Sequence, residues 1–453
     1  MNNEECQTQL ERKVQKVLSP FQEFIRTQVA ASLFLVACTV LAVFWASTPS
    51  IAPFYEKFIK TQLGFSLSSF HYVKSLQFWI NDVLLTLFFF FVGLEIKREL
   101  LVGELNDRKS IIIVIIASLG GMLVPALLFY VFNYHTALVK GWGIPMATDT
   151  AFALGVAVCF KSRLPHSAIS FLAAVAIIDD IGAIVVIALF YTSTVNIIAL
   201  LVAVIMFLVL IFLNYAGSRR PLVYLFFGLL LWAALEKSGV HGTVAGIACA
   251  MTIPARPRKT PKQFVKHAES LISYVKQRKE ANISTLEDKK QHKAIEEMQV
   301  AAQQATTPLQ RWESRLELPI ALIVLPLFAL VNAGVKIHTQ LLSELFENYF
   351  SIGIFLGLVI GKPLGIMLFS KLAQIIRLGN LPGGMKFNEL WRFTFLTGIG
   401  FTMSIFMSTL SLNNAHDLQL AKCAIIVASL ISAILAIVFM LCSKNHSLYS
   451  ESK

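Results

Sequence analysis

The stretch AIIDDIGAIV, residues 176–185, places Asp179 and Asp180 side by side in the middle of a long apolar run. The run extends from 165 to 192 and is long enough to cross the hydrocarbon core of a bilayer as a helix, which needs about 20 apolar residues. A charged side chain at that depth costs about 2.5 to 3.5 kcal/mol on insertion scales. Two aspartates at such a depth are therefore expected to have a function.

The composition of the whole chain is typical of a polytopic membrane protein. Of its 453 residues, 56% are hydrophobic and 15% are charged, and the mean hydropathy is +0.67. We expect an all-α protein, because a closed bundle of helices satisfies its own backbone hydrogen bonds in lipid. The net charge of +12 does not indicate nucleic acid, because the basic residues fall mainly between apolar segments. The six cysteines have no paired spacing, so no disulfide framework, metal site or other cofactor is expected.

Apolar windows predict about twelve transmembrane helices. They lie near 30–47, 76–97, 111–134, 144–160, 165–192, 196–216, 221–236, 239–254, 316–334, 350–371, 392–412 and 419–442. The even number places both termini on one side, and the linkers rich in lysine and arginine predict that this side is the cytoplasm. Residues 1–29 lack the apolar core and cleavage site of a signal peptide, so they are predicted to be a cytoplasmic N-terminal segment. Residues 443–453 are predicted to be a cytoplasmic tail.

Two linkers are unusual. Residues 48–75, between the first two spans, alternate polar and apolar positions and predict a small external hairpin. Residues 255–315 separate helices 1–8 (30–254) from helices 9–12 (316–442) and form a long, very basic cytoplasmic insertion. Its segment EDKKQHKAIEEMQVAAQQA looks helical, but the apolar face is thin. We therefore favour a solvated, partly disordered insertion over a helix lying on the anionic inner leaflet.

The two halves of the chain share sequence patterns. GGMLVPALLF (120–129) and ATDTAFALGV (147–156) have counterparts in IGKPLGIMLF (360–369) and TGIGFTMSIF (397–406). ATDTAFALGV and TGIGFTMSIF both have small residues and threonine where a helix can unwind. Paired interrupted helices point to a transporter built from inverted repeats. The residues predicted at the unwound part of the later helix are Gly398, Gly400 and Thr402.

The ionisable residues predicted at membrane depth are Asp149, Asp179, Asp180 and Lys362. Adjacent helical positions point about 100° apart, so the paired aspartates can divide two roles. One carboxylate can face a water-filled funnel and bind a small hard cation, while the other holds the Lys362 ammonium. Thr148 and Asp149 lie where a broken helix would offer oxygen ligands, and Asp149 and Lys362 have the signs that neutralise half-helix ends. The structural alternative is a helix clamp between Lys362 and one aspartate.

The same residues suggest how exchange can arise. A bare carboxylate pair resists crossing the dry part of the protein, because desolvation penalises the charged form. Either a cation or protons can load the pair, but not both at once, and this exclusion is sufficient for exchange. The predicted oxygen ligands of the cation are Asp180, Asp179 and Thr148. If the protons outnumber the cation, charge moves, and the membrane potential contributes about 2.3 kcal/mol per charge per 100 mV.

At these residues the sequence resembles the NhaA family of sodium/proton antiporters over about 25–440. The segments that carry the resemblance are FFFFVGLEIKRELLVGEL (88–105), GGMLVPA (120–126), MATDTAFALGV (146–156), AIIDDIGAIVVIALFYT (176–192), LEKSGVHGTVAGI (235–247), LPLFALVNAGV (325–335), LGLVIGKPLGI (356–366) and GIGFTMSIF (398–406). The resemblance implies a homodimeric, twelve-helix exchanger of the inner membrane that expels sodium or lithium against entering protons. It also implies electrogenic transport that is switched on towards alkaline pH.

The resemblance also implies roles for individual residues. The cation-binding carboxylate of the family matches Asp180, its partner matches Asp179, and the lysine that pairs with the partner matches Lys362. Thr148 and Asp149 match the unwound-helix positions. The residues that match the pH-response positions of the family are Glu95, Arg98, Glu99, His241 and Glu313.

Simpler interpretations of the pH-response residues stay open. His241 can be a hydrogen-bonded histidine at a helix end, although a pKa near 6.5 suits a sensor. Glu95, Arg98 and Glu99 have the spacing of an ion-paired helix end. The sequence also departs from the family pattern: Thr150 stands where an aliphatic residue is usual, and the 255–315 insertion is far longer than the ordinary loop.

Three other functional classes share part of this pattern. An intramembrane aspartyl protease also needs two aspartates, and these must share a proton. Asp149 and Asp180 have neither that family's motifs nor a use for Lys362. A passive cation channel also suits broken helices, and only the absence of coupled proton flux would distinguish it. A purely structural membrane scaffold would not require Asp180 for transport.

Overall fold

The computed structural model describes residues 28–67, 70–102, 108–192, 195–279, 289–382 and 385–442. Within these ranges the protein is helical apart from one two-stranded hairpin. Most of the predicted N-terminal segment, 1–27, and the predicted tail, 443–453, lie outside the described residues.

The helices occur in the chain order that the apolar windows predict. They are α1 Gln28–Ser47, α2 Ala52–Ile59, α3 Leu76–Val102, α4 Arg108–Asn133, α5 Thr150–Cys159, α6 His166–Phe190, α7 Ile197–Tyr215, α8 Pro221–Ser238, α9 Thr243–Thr252, α10 Pro261–Lys279, α11 Lys289–Ala305, α12 Pro308–Asn332, α13 Thr339–Glu347, α14 Tyr349–Ile375, α15 Phe387–Leu390, α16 Phe401–Ser411 and α17 Ala415–Cys442. Two 3₁₀ segments, Ala137–Met146 and Thr394–Gly398, precede α5 and α16. Short π-helical segments interrupt α3, α12 and α14.

Among the described residues, eleven helical segments are long and apolar enough to cross a membrane. The eighth apolar segment is shorter than the sequence predicts, because α9 has only 10 residues, about 15 Å of helix. The ninth starts earlier than the predicted residue 316. Thr307 caps it by accepting a hydrogen bond from the Gln310 N–H, and Pro308 stands in its first turn. The polar first turns of α12 hid this start from a hydropathy window.

The predicted hairpin linker contains strands β1 Gln62–Leu67 and β2 Phe70–Ser75, which pair antiparallel. The Trp79 indole N–H donates to the Leu63 carbonyl at 2.9 Å and thereby joins the hairpin to α3. Nearby, Lys336 and Glu56 form an ion pair of 2.5 Å. We call this side of the bundle the hairpin end and the opposite side, which carries residues 255–315, the insertion end.

The described part of the insertion is helical. Helices α10 and α11 run antiparallel, with the Arg258 and Lys259 N–H groups donating to the Gln304 carbonyl at 2.8 and 3.0 Å. Leu271, Ala294 and Ala301 are buried in this region. Most other described side chains of α10 and α11 are exposed, as expected for a solvated insertion, and partial disorder of the insertion stays a prediction.

The two halves of the bundle contact each other at the segments that share a sequence pattern. A Cβ atom added to Gly365 would lie 2.1 Å from the Gly120 carbonyl oxygen, and one added to Gly120 would lie 2.3 Å from that of Gly365. Only glycine allows α4 and α14 to approach so closely. Pro125 of α4 packs against Gly361, the residue before Lys362. This contact positions Lys362 in the centre of the protein.

Candidate cation-binding site

The site is built where two interrupted helices cross. The first consists of the 3₁₀ segment Ala137–Met146, extended residues 147–149 and helix α5. The second consists of Thr394–Gly398, the link residues 399–400, of which Ile399 is extended, and helix α16. The Asp149 N–H donates to the Ile399 carbonyl at 2.7 Å and holds the two links together.

The structure places the predicted unwound residues at or beside this crossing. Gly398 ends the 3₁₀ segment, and Gly400 is the N-cap of α16. A Cβ atom on Gly398 would lie 2.5 Å from the Leu358 carbonyl oxygen, so the close crossing needs glycine there. The prediction for Thr402 is wrong: it lies within α16, whose first turn is stabilised from outside by Asp149.

Asp149 joins the two half-helices that start at the crossing. One carboxylate oxygen, Oδ1, accepts from the Phe152 N–H of α5 at 3.0 Å. The other, Oδ2, accepts from the Thr402 N–H at 3.1 Å and from the Thr402 hydroxyl at 2.6 Å. Both helix N-termini carry positive dipole ends, and the carboxylate compensates them. Its two oxygens are therefore already engaged.

Lys362 neutralises the opposite kind of helix end. Its side chain is fully buried, and Nζ donates to the Met146 carbonyl at 2.7 Å, to Asp179 Oδ2 at 2.9 Å and to the Thr148 hydroxyl oxygen. Met146 ends a 3₁₀ segment, whose terminal carbonyls carry negative dipole charge. All three protons of the ammonium thus have acceptors. Both helix-end charges and the Asp179–Lys362 pair have the arrangement that the sequence predicts.

Thr148 lies within the Lys362 cluster. Its hydroxyl is 2.8 Å from Asp179 Oδ2 and 3.1 Å from the Thr397 carbonyl, and it accepts from Lys362. One hydroxyl proton can serve only one of the two acceptors at a time. The hydroxyl oxygen is therefore committed to the ammonium in this conformation.

Asp180 has the opposite environment from Asp179. It is 2% exposed, and its Oδ2 accepts from the Thr150 hydroxyl at 3.1 Å. In the part of the chain that the structure describes, the second oxygens of both carboxylates, Asp179 Oδ1 and Asp180 Oδ1, lack a hydrogen-bond partner. A buried carboxylate oxygen without a partner is costly, and an alkali cation or a proton would relieve that cost.

The acidic residues alone do not enclose an ion. Across the described ranges, no three histidine, cysteine, aspartate or glutamate side chains converge as metal ligands. Asp149 faces the helix ends, Asp179 faces Lys362, and Asp180 faces Thr150. A cation at Asp180 would therefore need hydroxyl, carbonyl or water oxygens to complete its shell.

Four of the predicted pH-response residues come together at the insertion end. Arg98 of α3 pairs with Glu99 at 2.9 Å and with Glu313 of α12 at 2.7 Å. Glu95 interacts electrostatically with this group. Glu317, which the sequence argument missed, also belongs to the group and lies one turn after Glu313.

His241 does not belong to this cluster. His241 lies just before α9 begins, and its ring centroid is 6.4 Å from that of Phe406 in α16. Burial lowers the pKa of His241, so the neutral ring is favoured at neutral pH. A role of His241 in pH response would therefore act through α16 and not through the glutamate cluster.

Two further residues at the functional helices were missed by the sequence argument. Thr150 was noted only as a departure from the family pattern, although it follows Asp149 directly. Lys97, beside Arg98, donates to the Met251 and Ile253 carbonyls at 2.6 Å each, at the end of α9. Little in the sequence indicates this contact, because a lysine at the end of an apolar helix usually only sets the orientation of that helix in the membrane.

The profile of the Na+/H+ antiporter 1 family matches residues 22–440. The chain belongs to this family. It is 42% identical over 437 residues to the Na(+)/H(+) antiporter NhaA 1 of Shewanella denitrificans, covering 96% of this chain and 97% of the relative. It is 40% identical over 436 residues to the Na(+)/H(+) antiporter NhaA of Sulfurimonas denitrificans, covering 95% and 97%. The resemblance inferred from the motifs is thereby confirmed.

The hydrogen bonds predict opposite effects of two aspartate substitutions on stability. Asp149→Asn places an amide N–H₂ against a helix N-terminus and should lower the free energy of unfolding by about 1 to 3 kcal/mol. Asp180→Asn removes a buried charge that has one partner and should leave thermal stability equal or higher. Unfolding of the purified protein, followed by size-exclusion chromatography after heating, measures both. Equal destabilisation by the two substitutions would contradict these assignments.

Proposed function

We propose that the protein exchanges Na⁺ or Li⁺ for H⁺ across the inner (cytoplasmic) membrane, and that transport is electrogenic. The observation that carries the proposal is the buried Asp180 carboxylate. One of its oxygens lacks a partner among the described residues, and it lies beside the Asp179–Lys362 ion pair. Family membership supports the same substrates.

Asp180 provides the exchange step. As a bare anion, it would carry an uncompensated charge through the dry protein, which desolvation opposes. A bound cation or a bound proton removes that charge, so the two compete for one carboxylate. The occupied site can then be presented to the other side of the membrane, whereas the empty charged site cannot.

The Asp179–Lys362 pair supplies a second place for proton uptake. A cation that approaches the free oxygen of Asp179 repels the neighbouring ammonium, and Lys362 can then lose its proton. When the cation leaves, protons return to Asp180 and to Lys362. More than one proton per cation moves net charge, and a negative-inside potential then drives the expulsion of Na⁺.

The crossing of the interrupted helices is proposed to pivot during transport. Asp149 compensates an N-terminus of each broken helix, so one carboxylate can stay bound to both as the halves tilt. Broken helices are tolerated at membrane depth only where they are buried in protein or line a cavity. An aspartyl protease is not supported. Both oxygens of Asp149 are bound by groups of two helix N-termini, so Asp149 and Asp180 do not share a proton.

The topology and assembly are part of the proposal. The basic insertion end is placed in the cytoplasm with both termini, following the distribution of lysine and arginine. The exposed apolar flanks of the helices contact membrane lipid. We also propose a homodimer in which the β1–β2 hairpin contacts its copy, because a two-stranded sheet presents edges that can pair.

The cluster around Arg98 is proposed to set the pH dependence of transport. Arg98 joins α3 to α12 through Glu313, and the charged groups facing it and Glu95 are Glu99, Glu313 and Glu317. Loss of protons from this group of carboxylates changes the attraction between the two helices. The cluster therefore couples cytoplasmic pH to helix position.

Asp180→Asn should abolish exchange, because the amide can neither bind the cation strongly nor alternate between charged and neutral forms. The measurement is Na⁺-driven pH change in proteoliposomes. Asp417→Asn, in the first turn of α17, is the matched control and should transport normally. Retained exchange in Asp180→Asn would refute the proposal, and Na⁺ flux without proton flux in the intact protein would favour a channel.

Two substitutions should shift the pH dependence in opposite directions. Arg98→Gln removes a positive charge, so the nearby carboxylates lose protons less readily and half-maximal activity should move to higher pH. Glu313→Gln removes a negative charge and should move it to lower pH, each by up to about one unit. The rate of exchange is measured against pH, with Glu56→Gln at the hairpin end as the control. Shifts of the same sign would count against electrostatic control by this cluster.

A further inference from the structure

We propose that Thr150 is a ligand of the transported cation and binds it together with Asp180. The inference rests on the proposed exchange at Asp180 and adds a residue to that site. It concerns a hydroxyl at a position where the sequence departs from the aliphatic residue usual in the family pattern.

Thr150 is placed by the broken helix itself. It is the first residue of α5, directly after the helix cap Asp149. Its hydroxyl crosses from α5 to the unbroken helix α6 and lies 3.1 Å from Asp180 Oδ2. The contact therefore joins the broken helix to the proposed cation-binding carboxylate.

Three other oxygens near the aspartates already have hydrogen-bond partners. The Thr148 hydroxyl and the Met146 carbonyl accept from Lys362, and the Thr402 hydroxyl donates to Asp149. The Thr150 hydroxyl gives its one proton to Asp180 and keeps two lone pairs. No group in the described residues donates to those lone pairs, so they are available to a cation.

The geometry suits a shared ion. A cation with oxygen ligands at about 2.4 Å can touch two oxygens that are 3.1 Å apart, as the Thr150 and Asp180 oxygens are. A neutral hydroxyl adds a ligand without adding charge. The single negative charge of Asp180 therefore still balances one monovalent ion, and the occupied site stays neutral.

Two substitutions separate a ligand from a structural hydrogen bond. Thr150→Val keeps the shape and removes the oxygen, whereas Thr150→Ser keeps the oxygen. Thr409→Val is the control, because that hydroxyl bonds only a carbonyl of its own helix in the described structure. The readouts are Na⁺ binding to the purified protein by calorimetry, KM and kcat of exchange in proteoliposomes, and unfolding temperature without Na⁺.

For a ligand, we expect Thr150→Val to weaken Na⁺ binding and raise KM about tenfold with kcat little changed, and Thr150→Ser to stay within about twofold of the native values. Thr409→Val should bind normally. Native Na⁺ affinity in Thr150→Val would overturn the inference, including when its unfolding temperature is lowered. If Thr150→Val does not fold, Thr150→Ala must show the same loss of binding. Loss of exchange in Asp180→Asn with native affinity in Thr150→Val would refute only this inference, whereas retained exchange in Asp180→Asn would refute the proposed function.

Discussion

The structure depends on the compensation of three broken-helix ends by two buried charges. Two segments of the chain leave helical geometry at membrane depth, where their free N–H and C=O groups have no water to bind. Asp149 accepts from two helix N-termini, and Lys362 donates to the carbonyl that ends a 3₁₀ segment. Without these side chains, the crossing would leave unsatisfied backbone groups in an apolar interior. The crossing in turn positions every group of the candidate cation site.

This arrangement makes two adjacent aspartates chemically unequal. Asp179 is held by the Lys362 ammonium and by Thr148, whereas Asp180 receives only the Thr150 hydroxyl. Each carboxylate keeps a second buried oxygen without a partner among the described residues. Their positions on one helix turn them towards different neighbours, as a rotation of about 100° requires. The proposed exchange uses this difference: Asp180 alternates between cation and proton, while Asp179 keeps Lys362 beside it as the second place for proton uptake.

Much of this site could be predicted from the sequence, because charged residues in apolar segments have few possible reasons. The signs of Asp149 and Lys362 and the breaks near Thr148 and Gly400 follow from that argument. The choice of Asp179 as the partner of Lys362 came from the family resemblance. The geometry of hydroxyl groups followed from neither. Whether Thr148 or Thr150 has free lone pairs depends on which acceptor Lys362 reaches, a contact between residues 214 positions apart. The early start of α12 and the packing of α10 on α11 were missed because a hydropathy window averages over polar turns and sees one helix at a time.

The central claim is competition between an alkali ion and protons for one buried carboxylate. Calorimetry of Na⁺ binding at several pH values, in buffers with different ionisation enthalpies, tests it directly. Competition predicts that binding releases protons to the buffer and that affinity rises with pH, by up to about tenfold per unit for each proton displaced. Na⁺ binding with no proton release and with the same affinity at every pH would contradict it.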